Sequence, residues 1–196
     1  VLNSLDSTST NPIPVIYQSG YLTIKGYNRE FGTYRLGFPN REVEEGFMKY
    51  LLPFYANTNK VDSSFHIQQF VREVRAGDYD AFFHRLQSLF ADTPYELIRD
   101  LELHYQNVLF IVFKLIGLYV KAEYHTSQGR IDLVLQTDQF IYVMEFKLEG
   151  TADEALRQIK EKGYVFPFAA DPRKIFKIGV NFSIKTRNIE EWRVES

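Results

Sequence analysis

The period of apolar and polar residues changes several times along the chain. Residues 1–14 are polar, end in Pro12 and Pro14, and read as an extended lead-in. Tyr21–Lys25 and Thr33–Gly37 look like two strands joined across Gly26–Gly32. Asn40 is placed to cap a helix reaching about Tyr55, with Glu42, Glu44 and Glu45 near its positive N-terminal end. Two short amphipathic helices follow, about Ser64–Ala76 and Asp78–Ala91, separated at Gly77.

The strongest helix start is Thr93-Pro94-Tyr95-Glu96, with an N-cap threonine, proline at the first helical position and a capping-box glutamate three residues on. This helix is expected to run to about Gly117. Its apolar positions wrap nearly all round after Val108, which predicts deep burial of that half. Strand signals come next: Val120–His125, Ile131–Leu135 and Phe140–Leu148, the last two joined by a tight polar turn at Gln136–Gln139. Ala152–Gly163 reads as a helix, Lys174–Phe182 as a buried strand and Trp192–Val194 as a short final one. From Thr93 the order is α-β-β-β-α-β, which predicts an α/β protein with a mixed sheet flanked by helices, preceded by a small α+β segment.

Composition narrows the chemistry. The 196 residues are 45% hydrophobic and 16% aromatic, enough for an aromatic-rich core. With no cysteine there are no disulfides, thiolate zinc sites or cysteine nucleophiles. Four scattered histidines leave carboxylates as the natural metal ligands, which favours magnesium, manganese or calcium over zinc. The longest apolar run, Val108–Val120, contains Lys114 and is too short to span a bilayer, and the polar N-terminus carries no signal peptide, so a cytoplasmic protein is expected. The first residue is Val, consistent with a piece of a longer chain. Net charge is −2, but Arg157–Arg187 holds eight Lys and Arg against Glu161 and Asp171. That excess fits either an ordinary solvated surface or backbone contacts to nucleic acid.

The chemistry concentrates in Ile131-Asp132-Leu133 and Met144-Glu145-Phe146-Lys147. A carboxylate inside such apolar strands is costly to bury without a partner. Alternation puts Glu145 and Lys147 on one face. With a two-residue loop at Thr137-Asp138, Asp132 would face Val143 and lie diagonal to Glu145, about 7–8 Å away at the backbone. Two carboxylates at that spacing can share a hard cation, which activates water and stabilises charge on a phosphate, while the lysine stabilises the developing anion. A buried Asp–Lys–Glu salt-bridge cluster is the competing account of the same three residues.

Gly129-Arg130-Ile131-Asp132, then Glu145-Phe146-Lys147, then the helix from Glu154 through Gln158 to Tyr164 resemble the PD-(D/E)XK nuclease superfamily. The similarity is to the domain at the C-terminus of bacterial AAA-type ATPase-like proteins of unknown function. The resemblance implies a restriction-endonuclease-like core, with Asp132 and Glu145 as ligands of Mg2+ or Mn2+. It also implies Lys147 as the catalytic lysine and Gln158 as a helix residue facing the site. The superfamily often carries a Glu on the first core helix, where this chain offers Gln106 or, one turn earlier, Glu102; His104 falls on the apolar stripe. Val15–Lys25 and Leu36–Val43 resemble the end of the ATPase-like region in the same proteins, although the chain has no Gly-x-x-x-x-Gly-Lys-Ser/Thr phosphate loop.

The expected organisation is therefore residues 1–60 as the end of an ATPase-like region, 61–92 as connecting helices and 93–196 as the nuclease-like domain. The expected function is metal-dependent hydrolysis of DNA or RNA phosphodiesters, with Arg130, Arg157 and Lys160 as backbone contacts. The alternatives are a catalytically inactive module that binds nucleic acid or a partner, and a structural lid or oligomerisation piece of a larger ATPase.

Overall fold

A computed structural model describes residues 11–56, 60–91, 101–127 and 130–196, with side chains described throughout these except at 60–61, 124–127 and 130–132. The chain forms two compact units, one ending at Met48 and the other running from Lys49 to Ser196. In the first, α1 (Ile13–Gln18) precedes a hairpin of β1 (Thr23–Asn28) and β2 (Thr33–Gly37). The prolines read above as a lead-in instead start α1, where a missing N–H costs nothing. Helix α2 (Arg41–Tyr55) begins as expected, with the Asn40 carboxamide accepting from Val43 N at 2.9 Å.

The second unit holds α3 (Lys60–Ala76), α4 (Tyr79–Ala91), α5 (Leu101–Ile116), β3 (Lys121–Ser127), β4 (Arg130–Gln136), β5 (Phe140–Leu148), α6 (Ala152–Glu161), β6 (Lys174–Ser183) and β7 (Asn188–Glu195). Its five strands form one mixed sheet in the order β3-β4-β5-β6-β7. Only β5 and β6 are parallel, joined through α6 as a parallel crossover requires. The Thr93 capping box lies outside the described residues. A second capping box, missed in the sequence, starts α6: Thr151 Oγ1 accepts from Glu154 N, and the Glu154 carboxylate accepts from Thr151 N. Strand β7 is longer than expected because its charged alternation, suited to a sheet edge, gives little apolar signal.

The sheet separates two layers. On one face, Ile141 and Val143 pack against Leu156 and Ile159 of α6, with Val134 beside them. On the other face lies an aromatic core. Phe146 meets Phe83 and Phe113, Phe182 meets Phe90 and Tyr105, and the Tyr142 hydroxyl donates to Val74 O at 2.7 Å. Helices α3 and α4, expected as connectors, are thus part of this layer. Their own link is part-buried: Arg85 Nε donates to Glu73 Oε1 at 2.7 Å. No helix among the described residues is long and apolar enough to cross a membrane.

At the far end of the sheet from Lys147, Arg173 ties the β4–β5 turn to β6. It donates to both Asp171 carboxylate oxygens, to Thr137 O and to Gln136 Oε1. The hydrogen bonds from the Arg173 side chain, then its backbone, hold Asp171 down at about 2. A carboxyl depressed in the folded state contributes stability that is full above the ordinary Asp range, near 3.9, and is lost as pH falls through about 2. Asp171→Asn should therefore lower the denaturation midpoint at pH 6 but converge with wild type near pH 2. A gap independent of pH over that window would show that the pair does not form.

Candidate functional site

The hairpin closes one residue later than the sequence reading supposed. Thr137 N donates to Phe140 O at 2.8 Å, and Thr137 Oγ1 accepts from Phe140 N at 2.9 Å, leaving Asp138-Gln139 as the loop. Moving the loop by one residue shifts every partner by two, which preserves faces but changes neighbours. Asp132 therefore pairs with Glu145, and Val134, not Asp132, faces Val143. Directly opposed residues lie about 4.5–5.5 Å apart at Cα, closer than the expected diagonal.

Position 132 shares the α6 face, since Val134, two residues on, packs there. The side chains of Asp132 and Arg130 lie outside the described residues, though the backbone of position 130 pairs with Lys147. Glu145 is 0% exposed. Lys147 is half-buried and, among the described residues, makes no ion pair or hydrogen bond.

Helix α6 closes the face. A Cβ placed on Gly150 would lie 3.3 Å from Lys147 Cδ and 3.1 Å from Glu154 Oε2, so one flank of α6 adjoins the lysine. Gln158 is one turn beyond Glu154 on that flank. Lys160 is on the other flank and bonds Glu195 of β7 at 2.6 Å. That hydrogen bond, then one from Lys177, lowers the Glu195 carboxyl from its usual range. Arg157 lies 3.6 Å from Glu161, with both exposed. Two of the three expected backbone contacts are thus engaged with acids of this chain.

Gln106 Nε2 donates to Glu102 Oε1 at 3.1 Å. Both belong to α5, which crosses the opposite face; next to them, Tyr105 stacks on Phe182 at 4.7 Å, at the Lys147 end of the sheet. His104 is buried as its place on the apolar stripe suggested, and burial lowers its pKa. Its ring faces Tyr55 and Tyr105, and its Nε2 has no hydrogen-bond partner among the described residues.

Two residues escaped the sequence reading. Asn181, only 6% exposed, pairs with Lys147 across the parallel strands and accepts from Gly150 N at 3.0 Å. The signal was present: an Asn inside the apolar run of β6, in register with a charged residue of β5. Glu154 was treated only as part of the α6 motif, although its capping role fixes the helix start beside Lys147.

Among the described residues, no three Asp, Glu or His side chains gather as a metal site. The donor set that fits a divalent cation is the opposed pair at 132 and 145, one of whose side chains is not described. A fully buried carboxylate on the strand next to a second acidic position suits a hard, oxygen-ligated ion.

Comparison with known proteins agrees with this architecture. A protein of Azotobacter chroococcum mcd 1, named "Uncharacterized protein in vnfD 5'region", is 33% identical over 192 residues, covering 93% of this chain. The chain spans 37% of that relative's length. Residues 100–192 match the PD-(D/E)XK nuclease superfamily, the stretch holding α5, the five-stranded sheet and α6. The part of the chain that carries the sheet and α6 is thus similar to the PD-(D/E)XK nuclease superfamily.

Proposed function

We propose that this domain hydrolyses phosphodiester bonds of nucleic acid with the help of Mg2+ or Mn2+. One observation carries the reading: a fully buried Glu145 directly opposite position 132, with Lys147 next along the same face. Asp132 and Glu145 would hold the cation, which supplies Lewis acidity to a water and to a phosphate oxygen when bound. Lys147 donates to the negative charge that develops on phosphorus-bound oxygen as water attacks and the ester bond breaks. Gln158 approaches from the adjoining flank of α6 and orients the water or phosphate. Asn181 holds the backbone that follows Lys147.

The bond between Gln106 and Glu102 favours a second reading, a nuclease-fold module that binds without cutting. An amide at the first-helix position is a weaker metal ligand than a carboxylate. We also propose that the domain works within a longer ATPase-like protein. The similarity of Val15–Lys25 and Leu36–Val43 to such proteins supports this, together with the relative's greater length.

Titration with Mg2+ or Mn2+ while following thermal unfolding tests the site. A cation at 100 times its Kd stabilises by about 2.7 kcal/mol, or roughly 5–10 °C in a chain of this size. Asp132→Ala should abolish that shift and any cleavage of single- or double-stranded DNA or RNA. No shift and no cleavage in the wild type would end the nuclease reading. A shift without cleavage would select the binding module.

A further inference from the structure

The parallel register places the C-terminal ends of β5 and β6 side by side, Lys147 beside Asn181 and Leu148 beside Phe182. Two loops leave this rim. One is Glu149-Gly150-Thr151, leading into α6, and the other is the turn Ile184–Arg187 between β6 and β7. The only non-glycine residues with left-handed backbone among those described sit in these two loops, Glu149 at φ 54° and Arg187 at φ 56°. Such conformations are strained and persist where surrounding contacts enforce them, most often at functional sites.

The contacts here are explicit. Glu149 N donates to Phe182 O at 2.9 Å, and the Glu149 carboxylate accepts from Ile184 N at 2.6 Å. Arg187 N donates to Ser183 O at 2.8 Å and Thr186 N to Ser183 Oγ at 3.4 Å, which folds the turn tightly. Glu149 therefore clasps the β6–β7 turn to the strand that carries Lys147. The residues so held are exposed and include two cations, Lys185 and Arg187. Four cations of the basic C-terminal segment are matched to acids, Arg157 to Glu161, Lys160 and Lys177 to Glu195, and Arg173 to Asp171. Lys185 makes no ion pair among the described residues.

We propose that the Ile184–Arg187 turn is a phosphate-binding element that grips a nucleic-acid backbone beside the Lys147 rim, through Lys185 and Arg187. Glu149 is its positioning residue. The proposal deepens the nuclease reading by naming where the polymer beyond the scissile bond is held. Fixing the turn in advance lowers the ordering that binding requires, and each phosphate neutralised releases counterions.

Equilibrium binding in a chelator-containing buffer isolates this from cleavage. The probes are a labelled single-stranded DNA, its duplex and the corresponding RNA. Lys185→Gln with Arg187→Gln should weaken the preferred probe about tenfold or more and make the slope of log K against log salt shallower by roughly 1.5. Lys162→Gln, which removes an exposed cation at the end of α6, should change the affinity far less. Glu149→Ala removes a negative charge, so bulk electrostatics alone would tighten binding; the clasp predicts weaker binding by several-fold. A wild type that binds none of the probes, a double variant that binds as well as Lys162→Gln, or a Glu149→Ala that binds more tightly would each overturn the proposal. A wild type that binds through this turn but never cuts would defeat the nuclease reading alone. One that cuts while the double variant binds normally would defeat this one alone.

Discussion

Lys147→Ala is expected to lower the rate of the proposed phosphodiester cleavage by about 10²–10³ while leaving the fold and the cation affinity largely intact. The magnitude is that of removing one preorganised donor aimed at transition-state charge, roughly 3–4 kcal/mol. The small structural effect follows from the surroundings of the lysine. Its stem packs beside Gly150 and it is only half-buried, so truncation removes a partly solvated side chain and not a core one. Cation affinity should survive because the proposed ligands are carboxylates, and nucleic-acid affinity should fall much less than turnover. If the three charges were instead a structural cluster, removing the lysine would strand buried carboxylates and cost about 3–5 kcal/mol of stability. Cleavage rate and denaturation midpoint, measured together on wild type and variant, separate the two. A Lys147→Ala protein that is strongly destabilised, from a parent that cuts nothing, would reject the catalytic role.

The elements that position this site were legible because each carried its own local signal. Short, nearly continuous apolar runs marked β4, β5 and β6, and the parity of Glu145 and Lys147 fixed their common face with no tertiary knowledge. Parity survived even where the register did not. The sequence offers Thr137-Asp138 and Asp138-Gln139 as equally polar loops, and the choice between them rests on the Thr137 hydroxyl receiving the Phe140 amide. The same limit hid α1, since Pro12 and Pro14 are compatible with both an extended lead-in and a helix start. Asn181 and the Glu149 clasp depend on which strand lies next to β5. A parallel neighbour reached through α6 leaves no pairing signature in the residues themselves. What α3 and α4 pack against was hidden for a similar reason. Their apolar faces were visible, but nothing local says that Val74 O would receive the Tyr142 hydroxyl or that Phe83 would meet Phe146.

Gly179→Ala should be among the most damaging single-methyl changes available to this chain. Gly179 is buried in β6, paired with Glu145 on one side and Arg193 on the other. A Cβ there would stand 2.0 Å from Ala152 O, 2.7 Å from Leu156 N and 3.0 Å from Ala155 Cβ. Two of these are backbone atoms of α6 and cannot rotate away, so the helix itself must lift from the sheet. Lifting it loosens Leu156 and Ile159 against Ile141 and Val143, and moves the Glu154–Gln158 flank away from Lys147. Overpacking against movable side chains costs about 1–3 kcal/mol. Against fixed backbone the upper end applies, so the expected loss is roughly 3 kcal/mol, or about 6–12 °C in melting temperature. Cleavage should fall with it, because the same movement displaces the site. Gly46→Ala is the matched control. It sits in α2 with nothing within 4 Å of the added methyl, and alanine there should raise stability by about 0.5–1 kcal/mol. Opposite signs for the same chemical change would establish that α6 rests directly on β6 at Gly179. A Gly179→Ala protein melting within a degree or two of wild type would mean that it does not.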